Sequence, residues 1–389
     1  KNLEKSNSLL KDIGATASLD ISPENLYNDL GLIDDLLSNN LRLIQQRQKE
    51  VKENLKQTQK VNLDYSNDID EENKKELQKY KRFNLTKTDY TITSKFPFDT
   101  NPVFNYFEGE MKANKEFVTV LKMNKNYKYI FKRLLSVLTI MKHPYVEQFK
   151  GARISKDNQI EIVTNRSGHK LANILYTMCE QEKFFESGEL TILIVKIVQA
   201  MVYLHSRSII HRDLSSQNIY VTRDSKTNEI KPMIVGFRNS RKLSIEFSRS
   251  QTSYNINSKI PISFFRAPEL DDGLYDEKVD VFAFSGILYE LVEGHPPYND
   301  DSLTAIDVIN KLRKNERPTF SPNVPEKIKN LIENCWKQDP NDRFTFMQIL
   351  KELITKKIVF EANGESNDVI EEFYKRIKVK DEERKNCLD

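Results

Sequence analysis

The stretch of residues 209–221 restricts the fold of this chain more than any other. It reads IIHRDLSSQNIYV, in which His211, Arg212 and Asp213 follow two β-branched residues and Asn218 stands five residues after the aspartate. Further groups follow toward the C-terminus: Ala267–Pro268–Glu269, Asp280 in KVDVFAFSGILYELVEGHPPY, and Trp336, Pro340 and Arg343 in NCWKQDPNDRFTF. So many spacings are not expected together by chance, and we therefore interpret these groups as parts of one domain.

These motifs resemble the landmarks of the eukaryotic protein kinases. Residues 209–221 look like the catalytic loop, and residues 267–269 look like the APE element. Asp280 resembles the buried aspartate of the central helix in the large lobe, and the resemblance implies that Arg343 pairs with Glu269. The CW..DP..RF sequence near the end of the domain and the HRDLSSQN sequence of the loop are most similar to those of the tyrosine-kinase-like group.

Upstream residues extend the resemblance to both lobes, over about Asp89 to Lys357. The run MKHPYV at Met141 resembles the end of the small-lobe helix, and IEIVTNRSGHKLANIL at Ile160 resembles the hinge. β-Branched and aromatic residues precede Leu171, and helical periodicity follows it. We therefore predict an α+β, two-lobed protein-kinase fold with a small antiparallel β lobe, a large mainly α lobe and an N-terminal helical extension.

The domain prediction divides the chain into five segments. They are a weakly ordered lead-in (1–21), a helical or coiled-coil-like extension (22–85), a small lobe (86–165), a large lobe (166–358) and a charged C-terminal helix or tail (359–389). Apolar residues follow an approximate heptad stripe in the extension. The stripe fits a coiled-coil or docking helix and fits equally a helix that packs on its own kinase domain or pairs with residues 71–80. The tail helix is expected to dock on its own domain.

The resemblance implies a metal-binding aspartate at the position of Gly236. The local sequence is GFR, and glycine offers no ligand to a hard cation such as Mg²⁺. Arg238 adds a positive charge beside the place where the metal would sit. We therefore predict no metal site and no Mg²⁺ requirement.

The glycine-rich loop of the family is also absent. With Gly109 set at the end of the second strand, the three loop glycines are replaced by Asp99, Asn101 and Phe104. Glycine lets backbone N–H groups approach phosphates because no Cβ intervenes, whereas the carboxylate of Asp99 would repel them. Gly109 is the sole glycine between Thr86 and Lys150, so this absence does not depend on the alignment.

The run TVLK resembles the VAIK strand of the family, with Lys122 as the phosphate-binding lysine. Period-2 alternation predicts that Val120 and Lys122 share one face of the strand. The glutamate that would pair with this lysine is replaced by Leu134. Tyr106 and Val120 stand where smaller side chains face adenine, and Thr164 is expected in the same nucleotide pocket. We predict that the added bulk partly fills the pocket.

In the catalytic loop, Asp213 is predicted to be a vestigial base, with Asn218 beside it. Asp213 can accept a proton only if a phosphate donor lies within reach of the acceptor. The alternative is that His211, Arg212 and Asp213 organise the loop and anchor the activation segment, which we favour. Ser215 replaces the lysine of serine/threonine kinases.

Ile262 replaces the threonine expected five residues before Ala267, which places peptide recognition in doubt. Residues 239–262 contain several Ser, Thr and Tyr residues among Arg and Lys. They fit a phosphorylation-controlled loop, in which a phosphate would pair with Arg212, and they fit equally a mobile loop.

Composition narrows the class of partner. Lys and Arg number 60 against 57 Asp and Glu, a net charge of +3 that is too balanced for nucleic-acid binding. The three cysteines are far apart and indicate a reducing, cytoplasmic location rather than disulfides. No run reaches the roughly 18 apolar residues of a membrane span. We expect protein partners, bound through the N-terminal helices or the kinase-like surface.

These features predict a pseudokinase that acts as a scaffold or allosteric partner in signalling or assembly. No cofactor is expected to be required, and ATP binding, if present, is expected to be weak. One alternative is a slow, divergent kinase that uses Lys122, Asp213 and Asn218. The other is a purely structural component of a larger complex.

Overall fold

A computed structural model describes residues 68–165, 168–181, 185, 188–243, 265–271, 275–300, 302–360, 368, 370–375 and 377. Backbone contacts divide the chain into residues 1–69 and a compact unit of residues 70–389. The predicted lead-in and the heptad stripe lie outside the described residues, as do the activation-segment residues 244–264, Ile262 among them.

The small lobe is an antiparallel sheet of six strands. Its strand order is β1-β3-β4-β6-β5. The short strand β2 also pairs with β3, at residues 105–106, whereas β1 pairs with residues 109–111. The strands are β1 (Tyr90–Ile92), β2 (Asp99–Thr100), β3 (Phe104–Met111), β4 (Phe117–Met123), β5 (Phe149–Ile154) and β6 (Ile160–Thr164). Helix α2 (Phe131–Leu138) follows β4 and buries five apolar side chains. The helix therefore covers one face of this sheet.

Alternation along the central strand β4 separates the two faces of the sheet. Leu121 and Met123 belong to the main core, which includes α2. Val118 and Val120 belong to a separate cluster on the other face, with Tyr90 and other side chains. Successive side chains of a strand point to opposite faces of the sheet. Along β4, the side chains that face the cleft therefore alternate with those that face away from it.

The large lobe is mainly helical. Its helices are α3 (Leu171–Gln181), α4 (Glu189–Ser206), α5 (Lys278–Glu293), α6 (Ala305–Arg313), α7 (Glu326–Cys335) and α8 (Phe346–Thr355). Short strands lie beside them: β7 (His169–Lys170), β8 (Ile209–Ile210), β9 (Ile219–Arg223), β10 (Ile230–Ile234) and β11 (Arg241–Lys242). Strands β10, β9 and β7 form one sheet, and β11 pairs with β8. Capping boxes at Thr304 and Thr345 begin α6 and α8.

The order of a β lobe followed by a helical lobe confirms the predicted α+β architecture.

Among the described residues, α4 alone is long and apolar enough to cross a membrane by length and composition. Most of its side chains are buried, and it packs against α8 and β10. Its apolar composition is therefore explained by its position in the core of the large lobe.

The compact unit begins before the predicted small lobe. Helix α1 (residues 68–79) buries Leu77 in the main core, and the side-chain amide of Asn73 donates to the carbonyl of Lys128 at 3.0 Å. The predicted boundary at residues 85/86 therefore falls inside this unit. At the other end, Ile370 and Tyr374 are buried in the same core, and the Tyr374 hydroxyl donates to the carbonyl of Ile358. The tail thus packs on its own domain.

Candidate functional site

The catalytic loop is held by Asp280 on α5. This carboxylate is fully buried and accepts the backbone N–H groups of His211 and Arg212, each at 2.8 Å. His205 Nε2 lies 3.0 Å from the same carboxylate. Burial alone would raise the pKa of Asp280, but the contact with His205 and the backbone donor outweigh it and hold that pKa below its usual value. Arg212 has a positive φ of 64°, which these bonds fix.

The lower part of the large lobe is braced by Arg343. Its guanidinium is buried and donates to both carboxylate oxygens of Glu269, at 2.5 and 3.0 Å. It also donates to the carbonyl of Lys278 at the start of α5. Lys278 and Asp280 lie on the same turn of α5. This turn therefore contacts both the bidentate pair of Arg343 with Glu269 and the catalytic loop.

Gly236 has a backbone conformation that suits glycine. Its φ is +86°, and a Cβ built there would lie 2.5 Å from Oδ1 of Asn218. The amide of Asn218 in turn donates to the carbonyl of Asp213 at 2.6 Å. A side chain at position 236 would therefore be strained by its backbone and would collide with Asn218.

Arg238 pairs with the predicted vestigial base. Its guanidinium Nη2 lies 2.8 Å from Oδ2 of Asp213, and both side chains are largely buried. The carbonyl of Arg238 accepts from Nη2 of Arg133 on α2 at 2.7 Å. The carboxylate of Asp213 thus faces a fixed cation of its own chain, and α2 supports that cation's backbone.

A small cavity lies between the lobes where a nucleotide pocket was predicted. Tyr106, Leu121, Leu134 and Thr164 line it, together with the residues around Gly236. Its volume is about 20 Å³, against the roughly 10–15 Å³ that one water needs. The bulk predicted for Tyr106 is present here, and Leu121 and Leu134 form an apolar wall.

Two of the predicted cleft residues lie on the other face of the sheet. Val120 packs in the cluster with Tyr90, and Lys122 lies 3.8 Å from Glu161 and 4.7 Å from the centroid of the Phe107 ring. The prediction that Val120 and Lys122 point toward a nucleotide is therefore wrong. The TVLK comparison was displaced by one residue, and a shift of one residue moves a side chain to the opposite face.

Sequence reasoning missed Glu147, which lines the cavity and is buried. One of its carboxylate oxygens accepts from the hydroxyl of Thr164 at 3.0 Å. A signal was available, because this acid stands in the run HPYVEQF, where the strand that follows begins. A buried carboxylate is costly unless it is hydrogen-bonded, so Thr164 stabilises it.

A tight turn replaces the glycine loop. The side-chain oxygen of Asn101 accepts from the N–H groups of Val103 and Phe104, and its amide donates to the Tyr106 hydroxyl at 2.6 Å. The carboxylate of Asp99 pairs with Lys170 of the large lobe at 3.0 Å.

Ser215 is buried beside the catalytic loop. Within the described residues, no group of three or more His, Cys, Asp or Glu side chains could hold a metal ion.

Known kinases are similar to most of this chain. Residues 104–353 match the family model described as protein tyrosine and serine/threonine kinase. The RGS domain-containing serine/threonine-protein kinase A of Dictyostelium discoideum is 30% identical over 57% of this chain and 18% of its own length. The dual specificity protein kinase pyk3 of Dictyostelium discoideum is 29% identical over 75% of this chain and 21% of its own length.

A plant relative gives the same result. The serine/threonine-protein kinase VIK of Arabidopsis thaliana is 30% identical over 64% of this chain and 55% of its own length. The chain thus spans between about a fifth and about half of the length of these curated relatives. The chain belongs to the protein tyrosine and serine/threonine kinase family.

Proposed function

We propose that this kinase-family domain is a pseudokinase of the tyrosine-kinase-like group that acts as a scaffold or allosteric partner in signalling. The observation that carries the proposal is the ion pair between Arg238 and Asp213, at 2.8 Å. A kinase needs this carboxylate to receive the proton of a substrate hydroxyl. Here the carboxylate is held by a guanidinium that stands beside the place of the missing metal ligand.

The cleft residues do not fit a magnesium–ATP complex. Gly236 supplies no carboxylate, and a Cβ at this position would lie 2.5 Å from Oδ1 of Asn218, so the Asn218 side chain would have to shift to admit one. The lining of the cavity offers Leu121 and Leu134 on the inner face, while Lys122 lies on the outer face. The enclosed cavity of about 20 Å³ holds little more than one water, which needs roughly 10–15 Å³. We therefore propose that neither ATP nor Mg²⁺ is required.

A divergent, active serine/threonine kinase is the second candidate. The relatives named as kinases favour it, since they are about 30% identical to this chain. In that case Asp213 would have to leave Arg238 and reach an acceptor hydroxyl, with Asn218 as the remaining metal ligand. The two candidates differ in whether Asp213 is needed for any measurable transfer.

Transfer of labelled phosphate from ATP to mixed peptide substrates separates the two candidates. We expect the purified chain and its Asp213→Asn variant to give the same background signal. A signal above that of buffer that disappears in Asp213→Asn would support the active kinase and contradict the proposal.

Thermal unfolding with millimolar ATP gives a second readout, because occupancy at a hundred times the Kd adds roughly 2.7 kcal/mol of stability. We expect no shift with or without magnesium.

Partners and location are proposed on the same basis. We propose a cytoplasmic protein that binds other proteins through its N-terminal helices or its kinase-like surface, and that needs neither nucleic acid nor a membrane span. Cys335 is a free, buried cysteine, and burial raises the pKa of its thiol, so this thiol is poorly reactive. A purely structural component of a larger complex is the third candidate.

Deletion of residues 1–67 tests the third candidate without removing α1. A change in the number of chains per particle on deletion would favour an assembly formed through the extension. An unchanged number of chains with unchanged binding partners would mean that the extension only braces its own domain.

A further inference from the structure

The cleft between the lobes has a contact across its mouth that involves one residue from the small lobe and two from the large lobe. Asp99 lies on β2, in the hairpin that replaces the glycine loop. Its carboxylate Oδ2 is 3.0 Å from Nζ of Lys170 on β7 and 3.5 Å from the hydroxyl of Tyr220 on β9. We call these three residues the interlobe latch.

The large-lobe side of the interlobe latch is a preformed platform. Lys170 and Tyr220 are direct partners in the antiparallel pairing of β7 with β9. Tyr220 is 4% exposed, so its ring is fixed by packing. The Tyr220 hydroxyl is therefore in place before the small lobe closes, and the strand pairing places Lys170 beside it.

The small-lobe side is equally constrained. Asp99 pairs with Tyr106 across the hairpin, and the turn between them is closed by the hydrogen bonds of Asn101. Tyr106 is 3% exposed and lines the interlobe cavity. The hydrogen bonds of Asn101 and the packing of Tyr106 restrain this hairpin in a way that a glycine-rich loop, which lacks such side chains, is not restrained.

The charges of the latch have the sign required for closure without a ligand. The side chains of Lys170 and Asp99 are 23% and 22% exposed, so solvent screens their attraction only in part. At the back of the same cleft, Arg238 pairs with Asp213 and is tied to α2 through Arg133. The cleft is thus closed at the front by the ion pair of Asp99 with Lys170 and at the back by the hydrogen bond from Arg133 of α2 to the carbonyl of Arg238, with the small cavity between them.

We propose that Asp99, Lys170 and Tyr220 hold the two lobes closed in the absence of nucleotide, so that the chain's own carboxylate occupies the cleft mouth. This goes beyond the proposed function, because it concerns how the lobes are held whether or not phosphate is transferred. A partner then meets the lobes in their closed arrangement whether or not ATP is present. High ionic strength weakens this arrangement, because salt screens the attraction between Asp99 and Lys170.

Hydrogen–deuterium exchange of the full chain tests the latch. We expect Lys170→Met and Asp99→Asn each to raise exchange by about two- to fivefold in residues 160–164 and 234–239, as loss of a partly exposed ion pair predicts. The charge-swapped double variant, Asp99→Lys with Lys170→Asp, should return exchange toward that of the parent chain. Lys311→Met is the matched control, because Lys311 pairs with Glu316 at the same 3.0 Å but within one lobe.

Salt provides an arm that does not depend on substitution. Raising NaCl from about 0.1 M to about 1 M shortens the Debye length from about 10 Å to about 3 Å. Exchange in the cleft segments should rise in the parent chain and change less in Lys170→Met. Unchanged exchange in both single variants, or a rise that the charge swap does not reverse, would overturn the latch. Phosphate transfer measured on the same variants reports separately on the proposed function.

Discussion

At the scale of single residues, Gly236 and Arg238 act together. Glycine permits the positive φ that brings the backbone against Asn218, and the next turn then directs Arg238 onto Asp213. The glycine at position 236 is therefore linked to a particular backbone path. An acid placed there would require the side chain of Asn218 to move.

Gly236→Ala should destabilise the chain more than Gly294→Ala. Both glycines have positive φ, +86° and +76°, so each substitution costs about 1–2 kcal/mol from the backbone. Only at Gly236 does the new Cβ meet an atom, Oδ1 of Asn218 at 2.5 Å, whereas nothing lies within 4 Å at Gly294. Urea unfolding measures both. Equal losses of unfolding free energy would contradict the proposed collision.

Glu290→Gln should stabilise the chain at neutral pH. Burial raises the pKa of Glu290 on α5, although a hydrogen bond with Ser216 opposes this, and its Oε2 has no hydrogen-bond partner. A carboxyl whose folded pKa exceeds its unfolded value binds more protons when folded, so its contribution to stability falls as pH rises above about 4.5. Glutamine removes that loss.

The measurement for Glu290 is the unfolding free energy as pH rises from about 4.5, the usual pKa of a glutamate, toward neutral pH. The parent should lose stability relative to Glu290→Gln as pH rises across this window. Glu333→Gln, on an exposed position of α7, is the control and should leave the pH dependence unchanged. Parallel curves for the parent and Glu290→Gln would contradict the expectation.

At the scale of elements, α1 is joined to the segment that begins α2 by one buried and one exposed ion pair. Asp70 lies 2.7 Å from Lys128, with both side chains 9% exposed. Glu72 lies 2.8 Å from Lys132, with the side chains 59% and 54% exposed. The same two elements thus provide a buried pair and its exposed counterpart.

Lys128→Met should cost about 3–5 kcal/mol of unfolding free energy, because it leaves the buried carboxylate of Asp70 without its cation. Lys132→Met should cost less than about 1 kcal/mol, as exposed pairs do. Adding Asp70→Asn to Lys128→Met should recover part of the loss. Denaturant unfolding of this cycle measures the coupling, and equal costs for the two lysines would show that burial does not govern this contact.

The sequence was sufficient for the order of elements but not for the faces of the strands. Motifs such as HRD, APE and Arg343 are fixed by buried hydrogen bonds, so they predict the fold through their spacing. In β4, both Leu121 and Val120 are apolar and buried, so alternation alone does not say which one faces the cleft. The docking of α1 rests on Asp70 and Lys128, which are distant in sequence and carry no local signal.

At the scale of the whole molecule, residues of α1 and of the tail, on either side of the predicted kinase domain, complete its core. Lys196 on α4 is 1% exposed and donates to Glu229 and to the carbonyl of Ile230. Its ammonium also lies 6.0 Å from the ring centroid of Phe373 in the tail. The tail helix therefore covers a buried cation as well as apolar surface.

Removal of residues 361–389 should lower the stability of the chain by several kcal/mol. Ile370, Phe373, Tyr374 and Ile377 are buried, and each such side chain contributes about 1.5–3 kcal/mol. A chain that lacks only residues 378–389 is the control and should be little affected. The midpoint of guanidinium unfolding measures both, and equal midpoints for the two truncations would contradict this assignment.

The small interlobe cavity has a practical consequence for how the protein can be detected. Resins that carry adenine-mimetic inhibitors capture kinases by filling the nucleotide cleft, and a cleft that binds no nucleotide, as we propose, would give such a ligand no site beside Tyr106, Leu121 and Leu134. A cell lysate passed over that resin should leave this protein in the unbound fraction. Its abundance and its response to inhibitors would therefore be missed by chemical profiling and would have to be followed with an antibody or a tag.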